Sequence, residues 1–395
     1  LVLNRFFFTL FALLALGVAL VAVYSHRPRW DAELRALAWL LLANFLLVLP
    51  NLILARDGIL SLENPVRMLL MLPVILAVMR FGLKTRWVCT GMSIGMLAAA
   101  PVVTWQHYVQ GVAQPGIYYW HLNFSEVAMS AFAMLLAACI SDRDRFTPLY
   151  LAGLLAALYC VIISGSRGSL LAIVPIVLFL VWWGCRQGTL KQMLSSRRIL
   201  LLPGILLFMG IVIISNGLFI DRVELAVKQT SDYFMKGNAG TSVGVRLELW
   251  KGTLLAAREY PLLGIGERDR EIFLREKIAE GELKSYVANK RHAHNDFFGA
   301  LQNRGVPGLI MQLLIYALPM LIFLRALNKA KREQLVAALG GALVTISYAT
   351  YSLTQVPMYN GQPLVFYIVT TSLCIGILKH SQNAISADNS RQSGQ

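Results

Sequence analysis

Apolar residues fall in long unbroken runs along this chain, and short polar connections separate them. Runs of roughly 17 to 25 residues are each long enough to cross the bilayer core as a helix. About eleven can be read, near 3–24, 34–54, 66–82, 87–105, 121–140, 146–163, 169–184, 199–219, 297–324, 334–353 and 361–379. The expected fold class is all-α, a polytopic transmembrane helix bundle. Residues 220–296 break the pattern, being polar, mixed in charge and far longer than a connection. Within them VRLELWKGTLLAAREY (245–260) spaces Leu247, Trp250, Leu254 and Ala257 three and four residues apart. That spacing predicts a helix with those four on its apolar face. REIFLREKIAEGELKS (270–285) predicts a second helix. The chain therefore divides into transmembrane helices over 1–219, one large partly helical loop over 220–296, C-terminal transmembrane helices over 297–380, and a tail over 381–395. The tail is rich in Ser, Asn and Gln and is expected to be disordered.

Composition sharpens this picture. Apolar residues make up 57% of the chain and charged ones only 14%, with a mean hydropathy of +0.60, whereas soluble domains carry roughly 25% charge. The net charge of +15 does not point to nucleic acid, because the basic residues cluster in alternate connections. Arg80, Lys84 and Arg86 lie in one, Arg143 and Arg145 in the next, then Arg186, Lys191, Arg197 and Arg198, then Arg325, Lys329, Lys331 and Arg332. The positive-inside rule puts those four in the cytoplasm, with the tail. Connections 55–65, 106–120, 164–168, 220–296 and 354–360 then face the other side. Parity places Leu1 outside, so a further helix is expected before it, twelve in all. The five cysteines fall singly in apolar segments and read as small core residues rather than disulfides or zinc ligands.

Candidate chemistry gathers on the outer face. KRHAHNDFFGALQNRGVPG (290–308) sets His292, His294, Asn295 and Asp296 at the mouth of an apolar helix. His292, His294 and Asp296 could chelate zinc, but no third histidine lies in the same loop. They could also merely cap a helix near the headgroups. Three arginines change the balance: Arg167 in SGSRGS, Arg246 in TSVGVRLELW and Arg67 after ENPV all stand on the side that the positive-inside bias depletes. Each alone could snorkel to a headgroup. Together they suit an anion, since planar guanidinium forks grip phosphate oxygens two at a time. A histidine able to take a proton near neutral pH, beside such arginines, suggests a reaction on a lipid-linked phosphate or pyrophosphate. No Walker-type G-x-x-x-x-G-K-S/T and no G-x-G-x-x-G is present, and GIG (264–266) reads as a turn. Neither a soluble nucleotide nor a metal or other cofactor is expected.

These motifs resemble the O-antigen ligase family, within the superfamily of bacterial O-antigen ligases and polymerases. That family carries a His followed by Asn, Ser or Gln, nine residues, then G-x-x-G and a small β-branched residue. Here His294 and Asn295 are followed by nine residues, Gly305 and Gly308, with Leu309 departing from the last position. Ser166, Arg167 and Gly168 resemble the family's T/S-R-small turn, and Gly244, Val245 and Arg246 its G-x-R. The order of segments agrees over nearly the whole chain. The resemblance implies a metal-independent, inverting glycosyltransferase of the inner membrane, with its active site facing the periplasm and 220–296 as the catalytic loop. It implies transfer of undecaprenyl-pyrophosphate-linked O-antigen to the lipid A core oligosaccharide, in lipopolysaccharide biosynthesis. His294 maps to the general base and Arg167 and Arg246 to the catalytic arginines, while Arg67, Arg291, His292 and Asn295 are expected to bind substrate. An O-antigen polymerase or a protein O-oligosaccharyltransferase would share donor, arginines and leaving group, and a lipid-linked saccharide transporter is a third reading. Asp296 is the favoured helix cap, although Asn295 could serve. Gly305, Pro307 and Gly308 predict a kink or close crossing, and Gly91 and Gly95 helix packing. Trp105, Tyr118, Tyr119 and Trp120 read as an interfacial belt, or as the lining of a sugar site.

Overall fold

The computed structural model describes residues 30–54, 56–117, 120–141, 145–187, 218–290, 292–328 and 332–392. The expected runs at 3–24 and 199–219, the residues Tyr118 and Tyr119, and Arg291 lie outside the described residues. Among those described the protein is all-α, without a strand. Eight helical stretches are long and apolar enough to span a membrane: Ala32–Ile53, Ile59–Phe81, Thr85–Tyr108, His121–Ser141, Gly168–Arg186, Asp296–Leu327, Gln334–Tyr351 and Gly361–Asn383. Thr147–Ile163 is a shorter apolar helix. Every expected span within the described residues is thus a helix. The chain is a multi-pass membrane protein.

Two compact units make up the chain, one of residues 1–49, 59–176 and 310–395, the other of 50–58 and 177–309. In the first, the bundle unit, the helices are α1 (Ala32–Leu46), α3 (Glu63–Leu69), α4 (Met71–Phe81), α5 (Thr85–Tyr108), α6 (His121–Ser141), α7 (Thr147–Ile163), the single turn α8 (Arg167–Leu170), α14 (Arg332–Tyr351) and α15 (Gly361–Gln392). α2 (Leu49–Ile53), α9 (Ile173–Arg186) and α13 (Asp296–Leu327) pass from one unit into the other. α6 packs on α7 and α14, α14 on α15, and α15 on α4. α6 is buried on nearly every side because the Ala, Ser and Met of EVAMSAFAMLLAACIS let neighbouring backbones approach closely. Gly91 and Gly95, expected to pack helices, meet no helix among the described residues: both are exposed, and no described atom outside α5 lies within 4 Å of where a Cβ would stand. α15 continues to Gln392, through the segment expected to be disordered, since extending an existing helix costs far less than starting one.

The second unit holds α10 (Leu218–Lys236), α11 (Ser242–Glu259), α12 (Arg270–Ala279) and a 3₁₀ turn at Ser285–Val287. Leu249, Leu274, Leu283 and Val287 form one apolar cluster, and Ala256, Ile265 and Phe273 another. The helix expected over 245–260 is present, but its buried face is not the expected one. α11 buries Gly244, Glu248, Leu249, Gly252, Thr253 and Ala256, while Leu254 is exposed. Polar residues can turn inward because they are paired: Glu248 accepts from Tyr233 Oη and from Lys284 N, each at 2.7 Å. α12 is shorter than expected. It ends where Gly281 takes a φ of +77° and Glu282 and Leu283 N–H return to the Lys277 carbonyl.

α13 kinks at Gly305, whose φ/ψ of 65°/−161° is non-helical, as the Gly305-Pro307-Gly308 spacing predicts. A side chain at Gly305 would run into the Pro261 carbonyl. The kink frees the carbonyls of Gln302 and Asn303, and the 261–268 turn takes them up: Ile265 N donates to Gln302 O (2.9 Å) and Gly266 N to Asn303 O (3.1 Å). Buried Asn51 closes the joint, its amide donating to Leu263 O and Asn303 O, both at 2.8 Å. GIG is therefore a turn, and it is the turn that satisfies a broken helix.

Candidate functional site

The second unit brings Arg246, His292 and His294 to one place. Arg246 lies in the first turns of α11, which is capped by Thr241, whose Oγ1 accepts from Gly244 N at 2.9 Å. The glycine of G-x-R has a local cause: a Cβ there would stand 2.7 Å from Asn238 O. One turn beyond Arg246, Trp250 donates through Nε1 to Ala293 O (3.0 Å) and stacks on Phe298 with ring centroids 5.1 Å apart and planes within 2°. This indole ties the arginine's helix to the peptide between the two histidines. Sequence spacing assigned Trp250 only to an apolar face.

His294 is the site's outlier. Its φ of +53° is one of two positive values at non-glycine residues among those described, a conformation that costs of order 1–3 kcal/mol and persists only where surroundings impose it. The next residue imposes it in part. Asn295 Oδ1 accepts from Phe298 N (3.0 Å) and its carbonyl from Gly299 N (2.9 Å), so Asn295 caps α13 and Asp296 is the first helical residue. The favoured cap was one residue too late. Asn295 is buried, with its side-chain oxygen committed to the cap.

His292 and His294 meet edge to face, centroids 4.3 Å apart. His294 Nδ1 is buried and makes no hydrogen bond with the described residues. Burial, then the neighbouring His292, Arg246, Lys290 and Arg270, push its pKa down to about 4. His292 is lowered in the same way, by burial and then by Arg270 and Lys290. Arg246 is also depressed by burial. The pocket thus holds a neutral imidazole amid cationic groups, a place poised for an anion. Among the described residues no group of three or more His, Cys, Asp or Glu is arranged to hold a metal ion.

Arg270 is a functional candidate that spacing did not single out. It is buried at the start of α12, where the helix dipole disfavours a cation, and that mismatch is the signal that was available. Behind it, Asp57 Oδ1 accepts from Glu267 N at 2.5 Å. Both carboxyls are raised, by burial first; Arg304 lowers both, while the charge of Asp57 raises Glu267 and that of Asp269 raises Asp57.

Arg67 and Arg167 belong to the bundle unit. Arg67 is largely buried, paired with Glu63 and donating from Nη1 to Asn64 Oδ1 at 2.9 Å. Its charge is therefore already partly matched. Arg167 opens α8. The turn before it is pinned by a chain of hydroxyls, Ser125 Oγ to Ser169 Oγ (2.7 Å) and Ser169 Oγ to Ser166 Oγ (3.0 Å), all buried.

A family model described as O-antigen ligase matches residues 152–313, a span that includes Arg167, Arg246 and His294. An uncharacterized protein of Haemophilus influenzae is 24% identical over 369 residues, covering 91% of this chain and 90% of its own length.

Proposed function

We propose, from the match of residues 152–313 to the O-antigen ligase family model, that this chain is an O-antigen ligase. It moves a polysaccharide from undecaprenyl pyrophosphate to a sugar hydroxyl of the lipid A core at the periplasmic face of the inner membrane. The observation that carries this reading is the neutral, half-buried His294, its Nδ1 shut away from solvent, held beside Arg246 at the start of α13.

In the proposed step the acceptor hydroxyl oxygen attacks the anomeric carbon from the face opposite the leaving group. The carbon–oxygen bond to pyrophosphate breaks, the hydroxyl proton passes to His294, and undecaprenyl pyrophosphate departs as the anion with inversion. Arg246 and Arg167 neutralise the charge that grows on the leaving oxygens, as fixed donors do at any site where charge develops. Arg67, Arg291, His292 and Asn295 are assigned to substrate binding. No metal is assigned, because guanidinium groups would supply the neutralisation. An imidazole with a pKa near 4 is by itself a weak base. The bound pyrophosphate supplies what is missing: its negative charge offsets Arg246, Arg270 and Lys290 and raises the imidazole's proton affinity when substrate is in place.

The test is a radiolabelled lipid-pyrophosphate glycan offered separately to core lipid, lipid-linked glycan and protein acceptors. Label moving to the core lipid is the expected result. Movement to the growing glycan or to protein identifies a polymerase or a protein O-oligosaccharyltransferase. Translocation across liposomes without any new glycosidic product would overturn the enzymatic reading.

A further inference from the structure

In the bundle unit three helices begin side by side, α3 at Glu63, α6 at His121 and α15 at Gly361, and their first turns are joined by carboxamides. Asn360 Nδ2 donates to Asn123 Oδ1 and Asn123 Nδ2 to Gln362 Oε1, each at 3.0 Å. All three residues are only half-buried. The chain has two ends of opposite character, the acceptor Asn360 Oδ1 and the donor Gln362 Nε2, and neither end has a partner among the described residues. The chain of amides thus presents a donor and an acceptor at an open edge, where water or a ligand can meet them.

The open edge adjoins an arginine. A Cβ at Gly361, between the two carboxamides, would stand 2.6 Å from Arg67 Nη1, so a side chain there would push the guanidinium away from that backbone. Asn64 accepts from the same Nη1 and donates to the Tyr359 carbonyl at 2.8 Å. Two aromatic rings stand exposed beside these turns, Tyr359 and Trp120, the latter stacked on His121 at 5.4 Å.

We infer that this end of the bundle unit is a sugar subsite. It takes the vicinal hydroxyls of the pyranose that adjoins the donor's phosphate, with Arg67 on the phosphate side. Each sugar hydroxyl both donates and accepts, and a carboxamide is the side chain that offers both in one plane. A few convergent polar groups beside an aromatic surface are what fix a ring's orientation. This inference rests on the ligase reading for its donor, and it assigns residues that the ligase motifs do not include.

The experiment uses the full chain in lipid nanodiscs and two probes, polyprenyl pyrophosphate alone and the same lipid carrying one pyranose. Wild type is expected to bind the sugar-bearing lipid about tenfold tighter, the worth of one or two net hydrogen bonds. Gln362→Met should abolish that preference, leave binding of the bare lipid within about twofold, and lower the melting temperature only by the loss of one half-buried hydrogen bond from Asn123. Equal affinity of wild type for the two lipids overturns the subsite, without recourse to any variant, and so does a parallel loss of both lipids in Gln362→Met. Wild type that binds neither lipid sinks the ligase reading and the subsite with it. Wild type that binds the bare lipid without preference sinks the subsite alone.

Discussion

At the scale of single residues, His294 carries two testable consequences. Its folded pKa of about 4 lies below the ordinary imidazole value of 6.5. Between those two values the unfolded chain binds the proton and the folded one does not, so stability rises with pH across the window. The contribution is fully present above pH 6.5 and is lost as pH falls through 4. Detergent-solubilised wild type should therefore lose more melting temperature between pH 7.5 and 5 than His294→Asn, which keeps a residue tolerant of positive φ. Equal acid sensitivity would show that His294 is not buried as described. In catalysis, His294→Asn should lower turnover roughly 10²- to 10⁴-fold, the usual size of a general-base contribution, and His292→Ala much less. The acid limb of kcat should lie at higher pH than that of kcat/KM, because the bound anion raises the base in the complex. The sequence ranked His294 above His292 through the motif it shares with the ligases. Structure adds the setting that ranking lacked, a left-handed turn beside Arg246.

Helices were legible where their apolar length alone defines them, and less so where a face or an end had to be chosen. α11 is the clearest case. Periodicity pointed to Leu247, Trp250, Leu254 and Ala257, yet the helix turned Glu248 and Thr253 inward because Tyr233 Oη and Lys284 N donate to Glu248, while Thr253 Oγ1 donates to the Leu249 carbonyl and to Gln302 Oε1. The kink in α13 was readable because Gly305 and Gly308 flank Pro307, but its partners were not. Asn51 and the 261–268 turn are distant in sequence, and only folding sets them against Gln302 and Asn303. Gly305→Ala should be destabilising by about 1–3 kcal/mol, since the residue would need a strained φ and would meet the Pro261 carbonyl. Thermal unfolding measures this, and a melting temperature equal to wild type would remove the argument for a required kink.

For the molecule as a whole, the alternation of basic connections predicts topology. A reporter inserted within Gly237–Gly240 should register the periplasm, and one fused after Gln395 the cytoplasm. Signals from the same compartment at both places would break the alternation on which the periplasmic site rests. The bundle unit and the smaller unit divide the expected arginines between them, Arg67 and Arg167 in one and Arg246 in the other with the histidines. In each unit the arginine has its own local setting, a carboxylate partner for Arg67 and a desolvated pocket for Arg246.

The sequence by itself determined that this is an all-α membrane protein, where its described spans lie, and which motifs resemble the ligases. Run length, charge clusters and short motifs are local properties, and the bilayer acts on them as a uniform solvent. Tertiary structure alone decided that Asn295 rather than Asp296 caps α13, that Trp250 ties Arg246's helix to the histidine turn, and that Arg270 joins the cationic pocket. It also decided that Asn123, Asn360 and Gln362 form one chain of amides. Each of these depends on which backbone or side chain arrives from elsewhere in the chain to accept a hydrogen bond or exclude water, and no local pattern encodes that arrival.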